Sequence, residues 1–159
     1  MKPSVLVLLL LASGACSPAA DQTATPRPIF RHFNTEVSNI QLGQSWTAEE
    51  VPGADPGDTV VALAPGTFER AQSVRVHRTP AGLVSSIMFD YPDTADFQAM
   101  QSEYSRLFGP PRQHQKPGND KELERLVWQD SLTRFELVRD PKRSAATVYT
   151  RLSDLSGGG

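Results

Sequence analysis

The sequence predicts an α+β domain: an antiparallel sheet of five or six strands with a short and a long helix packed on one face, in the order helix, hairpin, helix, three-stranded meander. Three observations carry that reading. Residues 97–108 place Phe97, Met100, Tyr104, Leu107 and Phe108 on one helical stripe, the signature of an amphipathic helix. Residues 83–91 place Leu83, Ser85, Ile87, Phe89 and Tyr91 at period two, as a half-buried strand requires. Residues 123–152 hold three apolar runs parted by Gln129-Asp-Ser131 and Asp140-Pro-Lys-Arg-Ser144, which reads as a meander. The 159 residues are 38% hydrophobic and 21% charged, enough for one core and no second domain.

The first element in the chain is not part of the fold. Lys2 precedes the apolar run Val5-Leu-Val-Leu-Leu-Leu-Leu11, then the small residues Ala12-Ser-Gly-Ala15 and Cys16, the single cysteine. These are the parts of a secretory signal over residues 1–15. The run is well short of the roughly 20 residues a spanning helix needs. Ser13-Gly14-Ala15-Cys16 resembles the lipobox of bacterial lipoproteins, and the resemblance implies cleavage before Cys16 and acylation of its sulfur. An unpaired thiol in an oxidising compartment is a liability that acylation removes. Ordinary secretion, with cleavage near Ala15, Ala19 or Ala20 and Cys16 free or discarded, is the alternative. Ser17 follows the cysteine where the family uses Asp for retention in the inner membrane. By resemblance the protein is therefore expected on the periplasmic face of the outer membrane, held there by acyl chains on Cys16.

Residues 16–28 form the expected lipidated tether. Beyond Cys16 no side chain there is both apolar and larger than Ala except the prolines, which favour extended, solvated backbone. The domain spans 29–155, and residues 156–159, Ser-Gly-Gly-Gly, are expected to be disordered. Net charge is -2, without the clustered excess of Lys and Arg that nucleic acid demands. Residues 17–66 hold two basic against six acidic residues and 67–155 hold thirteen against twelve. The acidic first part disfavours electrostatic docking on anionic lipid, so the acyl chains are the expected membrane contact.

Within the domain, Thr47 and Glu50 have the spacing of a capping box, predicting a short helix stopped by Pro52-Gly53. Val60-Val-Ala-Leu63 reads as a short strand. Residues 67–78, where Val74 and Val76 alternate with Arg75 and His77, pair with 83–91 as a hairpin across Thr79-Pro-Ala-Gly82. Asp93 is the expected N-cap of the long helix, and Gly109 the residue past its end. Residues 113–121 read as an exposed polar loop. Strands follow at 123–129, 132–139 and 145–152.

No motif for catalysis appears. His32, His77 and His114 fall in no metal-ligand spacing, no serine has a G-x-S-x-G or S-x-x-K context, and the glycines have no phosphate-loop spacing. The sequence calls for no cofactor and no metal. Glu49-Glu50 and Asp93/Asp96 belong at helix starts, where they complement the dipole. What remains is surface: Arg134, Arg139, Lys142, Arg143 and Arg151 along the final strands, with Trp46 and Tyr104, residue types that anchor interfaces. Trp46 also has a plain reading as a core side chain before a helix.

The order Ile40-x-Leu-Gly43, Thr47-x-x-Glu50-Val51, the stop Leu107-Phe-Gly-Pro-Pro111 and a strand with Trp128 is similar to the helix-then-meander unit of β-lactamase-inhibitor-like domains, shared by small SmpA/BamE-type outer-membrane lipoproteins. That resemblance implies a non-catalytic protein-binding or envelope-assembly adaptor. Arg134, Arg139, Arg143 and Arg151, with Trp46, are the candidate contact residues for an envelope protein partner. A small-ligand or lipid carrier, or a small periplasmic hydrolase, is the alternative; the carrier would need an enclosed apolar cavity, and a packed interior is expected.

Overall fold

The computed structural model describes residues 27–34, 39–48, 51, 54–55, 57–65, 70–118 and 122–157. The signal segment, Cys16, most of the tether, Glu50 and Pro52 lie outside them. The described residues form nine strands and one α-helix: β1 (His32–Asn34), β2 (Asn39–Gln41), β3 (Val60–Leu63), β4 (Ser73–Arg78), β5 (Val84–Asp90), α1 (Phe97–Phe108), β6 (Gln113–Gln115), β7 (Glu124–Gln129), β8 (Thr133–Arg139) and β9 (Val148–Asp154). Strands β1 and β2 pair by themselves. The other seven make one antiparallel sheet in the order β3-β4-β5-β9-β8-β7-β6.

This corrects the expectation of a five- or six-stranded sheet with two helices. The chain is mostly β, and the extra strands are β1, β2 and β6. Each has three residues with at most one apolar side chain, too short to show periodicity, and each is defined by a partner's backbone. The expected short helix is reduced, among the described residues, to a tight turn at Ala48 that Val51 closes by donating its N–H to the Ala48 carbonyl at 2.8 Å. The polar loop expected at 113–121 begins with β6, which pairs Gln113, His114 and Gln115 with Val127, Leu126 and Arg125.

The long helix forms where its stripe falls, with one shift. Its N-cap is Asp96, whose carboxylate accepts from the amides of Gln98 and Ala99 at 2.9 and 3.0 Å, rather than Asp93. Gly109 ends it at a φ of 82°, a left-handed value that favours glycine. Its carbonyl accepts from the Trp128 indole at 2.9 Å, which ties the helix end to β7. Tyr104 and Phe108 meet Phe135 edge to face, with ring centroids 4.6 and 5.7 Å apart.

The β4–β5 hairpin contains a bulge that shifts register between His77 and Arg78. One extra residue at that point reverses the alternation of everything before it. Val84 is therefore buried and Leu83 is 38% exposed, the opposite of a regular period-two reading from Leu83.

Among the described residues, the covering elements α1 and the β1–β2 pair lie on one side of the sheet. Phe33 of β1 packs on Phe89 of β5 at 5.6 Å, Phe30 on Phe135 at 6.4 Å, and Ile40, Leu42 and Trp46 join the same buried cluster as Val76, Ile87, Leu137 and Leu152. Arg31 clasps this layer to the far end of the meander. Its guanidinium donates to the Leu42 and Leu132 carbonyls, to Thr133 Oγ1 and to Asp154 Oδ1 at 2.5–2.9 Å. Burial pushes the Asp154 carboxyl up, but the Arg31 and Ser156 hydrogen bonds outweigh it and hold it below the usual range. No described helix is long and apolar enough to cross a membrane.

Candidate functional site

Strand alternation sends every second residue of the seven-stranded sheet to the face away from α1. Register aligns those residues in three rows. The first runs Ser73, Asp90, Tyr149, Val138 and Arg125; the second Arg75, Met88, Arg151, Glu136 and Val127; the third His77, Ser86, Ser153, Arg134 and Gln129. Met88, Val127 and Val138 on this face are buried yet stand outside the main core cluster. Arginine stems can lie over such side chains while the charged heads reach water.

Arginine supplies most of the charge on this face. Asp90, with its side chain 3% exposed, receives Arg75 at 2.8 Å and Arg143 at 2.5 Å, and Ser73 Oγ at 2.9 Å. The two guanidiniums also touch Met88 Sδ at 3.2 and 3.3 Å, and Arg143 lies over the Tyr149 ring at 4.3 Å. Glu136 is shared by Arg134 at 3.2 Å and Arg125 at 3.7 Å. Each carboxylate thus serves two arginines and leaves one positive charge over. Between the two clusters stands Arg151, opposite both Met88 and Glu136, and it has no ion-pair partner among the described residues.

Four nitrogens on this face are shielded from solvent and have no hydrogen-bond partner: Nε of Arg75, Arg134 and Arg151, and Nε2 of His77. A buried donor without an acceptor costs about 1–3 kcal/mol, and such groups are uncommon enough to require an explanation. Burial, with Arg151 and then Arg75 nearby, holds the His77 imidazole below its ordinary pKa.

The structure divides the sequence candidates. Arg134, Arg143 and Arg151 share the open face, while Lys142 is exposed in the turn before β9. Arg139 is on the other side, bonded to Glu124 at 2.5 Å and lying over Phe97 at 5.0 Å. Trp46 is 5% exposed within the core, so its ring offers no contact surface. Arg75 and Arg125 belong to the face and were missed, although the alternation of Arg75 and His77 with Val74 and Val76 already marks Arg75 as pointing away from the core. Cys16 lies outside the described residues.

Two other places have some chemistry. His114 Nε2 lies 3.0 Å from Glu124 Oε1, but no hydroxyl or thiol is bonded to this histidine among the described residues. A cleft of about 670 Å³ beside α1 is lined by Tyr91, Pro92, Met100 and Tyr104 and edged by the Arg70–Glu103 pair at 3.1 Å. It opens to solvent past those two side chains, 74% and 41% exposed. Burial, with Tyr91 beside it, pushes the Tyr104 phenol far up, so it stays protonated. The gap among the core rings measures about 50 Å³. No group of three or more metal-ligating side chains occurs among the described residues.

The chain matches no protein-family model and no curated protein. Among solved structures it is similar to the crystal structure of a DUF4309 family protein (YjgB) from Bacillus subtilis subsp. subtilis str. 168, at 10% identity and a TM-score of 0.41, over 64% of this chain and 67% of that one. A likeness of that size carries no argument about function.

Proposed function

We propose that the protein is a lipid-anchored, non-catalytic adaptor of a bacterial envelope, held by acyl chains on Cys16 at the periplasmic face of the outer membrane. Its open sheet face docks an acidic envelope protein. The supporting observation is the arginine excess there: five guanidiniums, Arg75, Arg125, Arg134, Arg143 and Arg151, against the two carboxylates of Asp90 and Glu136. Complementary charge speeds encounter and selects partners, and Arg is among the residue types enriched at interface hot spots. The carrier reading has less behind it, because the cleft beside α1 is open rather than enclosed. A hydrolase would need a nucleophile hydrogen-bonded to a base, and among the described residues no serine hydroxyl is bonded to a histidine nitrogen: Ser86 lies opposite His77, whose Nε2 has no partner.

The test is photo-crosslinking in intact cells, with the crosslinking residue at Gln129 on the open face and, as control, at Ser102 on α1. One dominant protein captured from position 129 and not from 102 is expected, and its loss when Arg134 and Arg151 are both changed to Ala. Equal capture from both positions sinks the docking reading. The anchor is tested separately by Cys16→Ala, which should move the protein from the membrane fraction to the soluble one.

A further inference from the structure

The third row of the open face places two small side chains at its centre. Ser86 and Ser153 are direct cross-strand partners, with His77 on one side of them and Arg134 on the other. Two residues further along the same strands are Arg75 and Arg151, separated by Met88. The serines therefore form a low floor flanked by the longer side chains of His77 and Arg134, with Arg151 two residues along β9, while the Arg75 guanidinium turns away to Asp90 and Met88 Sδ. His77, Arg134 and Arg151 are three of the four residues whose shielded nitrogens lack a partner. Three of the four unpartnered nitrogens thus lie beside one floor.

We infer that this basin is a binding site for a tetrahedral oxyanion, the phosphoryl group of a phosphate or phosphomonoester. His77, Arg134 and Arg151 come from three strands, β4, β8 and β9, and the register sets them on different sides of the serines. A carboxylate offers two oxygens in one plane and satisfies a single fork. A phosphomonoester offers three oxygens, each able to accept more than one hydrogen bond, and carries up to two negative charges. The local charge suits it, because Asp90 and Glu136 are each occupied by two arginines and Arg151 by none. The serine hydroxyls add two donors at the floor. Entry needs the guanidiniums to part, which their flexible stems permit.

The inference goes beyond the docking reading: it assigns a discrete site to a small ligand and needs no protein partner. Its test is NMR titration of the full chain in detergent micelles, following the His77 imidazole and Arg Nε resonances. The probes are inorganic phosphate, glycerol 3-phosphate and acetate at matched ionic strength. Saturable shifts with phosphate and none with acetate are expected, and Arg151→Ala should weaken phosphate binding at least tenfold. Arg106→Ala, which removes the same charge from the exposed side of α1, should leave it unchanged. Ser86→Val keeps every charge and should also weaken binding, which covers the case in which Arg151→Ala fails to fold. Glycerol 3-phosphate binding as phosphate does assigns the site to phosphomonoesters; phosphate alone binding assigns it to the free anion. Equal shifts with acetate, or equal losses in Arg151→Ala and Arg106→Ala, would overturn the inference as general charge screening.

Discussion

The same strands present two unlike faces. Along β8, Phe135 and Leu137 point into a layer of aromatic rings and aliphatic side chains, while Arg134 and Glu136 point the other way into an arginine lattice. The first face holds the fold. Its side chains are nearly all below one-tenth exposed and interlock with α1 and the β1–β2 pair. The second face holds ion pairs that are partly solvated on the arginine side, and four shielded nitrogens without a hydrogen-bond partner. A surface kept for stability alone would not retain unsatisfied donors, each a cost. The contrast is between a face whose groups are spent on the fold and one that keeps an arginine excess and shielded nitrogens without partners.

That comparison can be broken most directly from the core side. Phe135→Ala removes a ring in contact with Tyr104, Phe108, Trp128 and Phe30. It should lower the unfolding free energy by about 3–5 kcal/mol, read from urea denaturation. A loss below about 1 kcal/mol would mean that this face is not the core.

The next largest effect belongs to the most deeply buried charged group of the open face. Asp90→Ala leaves Arg75 and Arg143 beside each other without their shared carboxylate and should cost about 2–3 kcal/mol, less than a fully buried pair because both arginines are partly solvated. If Asp90→Ala is neutral in denaturation, the arginine lattice is held by something other than this carboxylate.

The clasp comes third. Arg31→Ala removes four hydrogen bonds, three of which join the first strands to the meander, and should cost about 1–3 kcal/mol. Because Asp154 titrates below its usual range when folded, its contribution is present above the unfolded carboxyl pKa and lost as pH falls through the lower folded value. Acid unfolding of the wild type should be steeper over that interval than that of Arg31→Ala; identical curves would remove Asp154 from the account.

The smallest effect sharpens the open face. His77 in the unfolded chain takes its proton near pH 6.5, and the folded chain resists it. Stability should therefore fall as pH drops from about 6.5 to the lower folded value, with no further loss from this group below it. His77→Gln should flatten that slope. A wild-type stability independent of pH between 7 and 5 would contradict the half-buried, arginine-flanked placement of the ring.

Much of the fold was legible because its elements are long enough to repeat. The stripe from Phe97 to Phe108 covers three turns, and β4, β5, β7, β8 and β9 each have six or seven residues. The three-residue strands were not legible, because their pairing is decided by a neighbour's free backbone groups. Part of the site was legible too: Arg134 and Arg139 are an odd number of residues apart, so one regular strand must send them to opposite faces. Trp46 was ambiguous, since burial of a tryptophan depends on what surrounds it.

By itself the sequence determined the helix, the hairpin, the meander and the alternation of arginine with apolar residues, because these follow from side-chain periodicity within a few residues. Only the tertiary structure decided that β9 pairs with β5 and carries the meander into the same sheet as the hairpin. That pairing puts Ser153 opposite Ser86 and Arg151 opposite Met88. The residues around the basin come from β4, β5, β8 and β9, more than fifty positions apart at their extremes, and no local pattern specifies which strand edges meet. Long-range register is set by the fit of the whole buried face, so the opposite face inherits its constellation from a packing problem solved on the other side of the sheet.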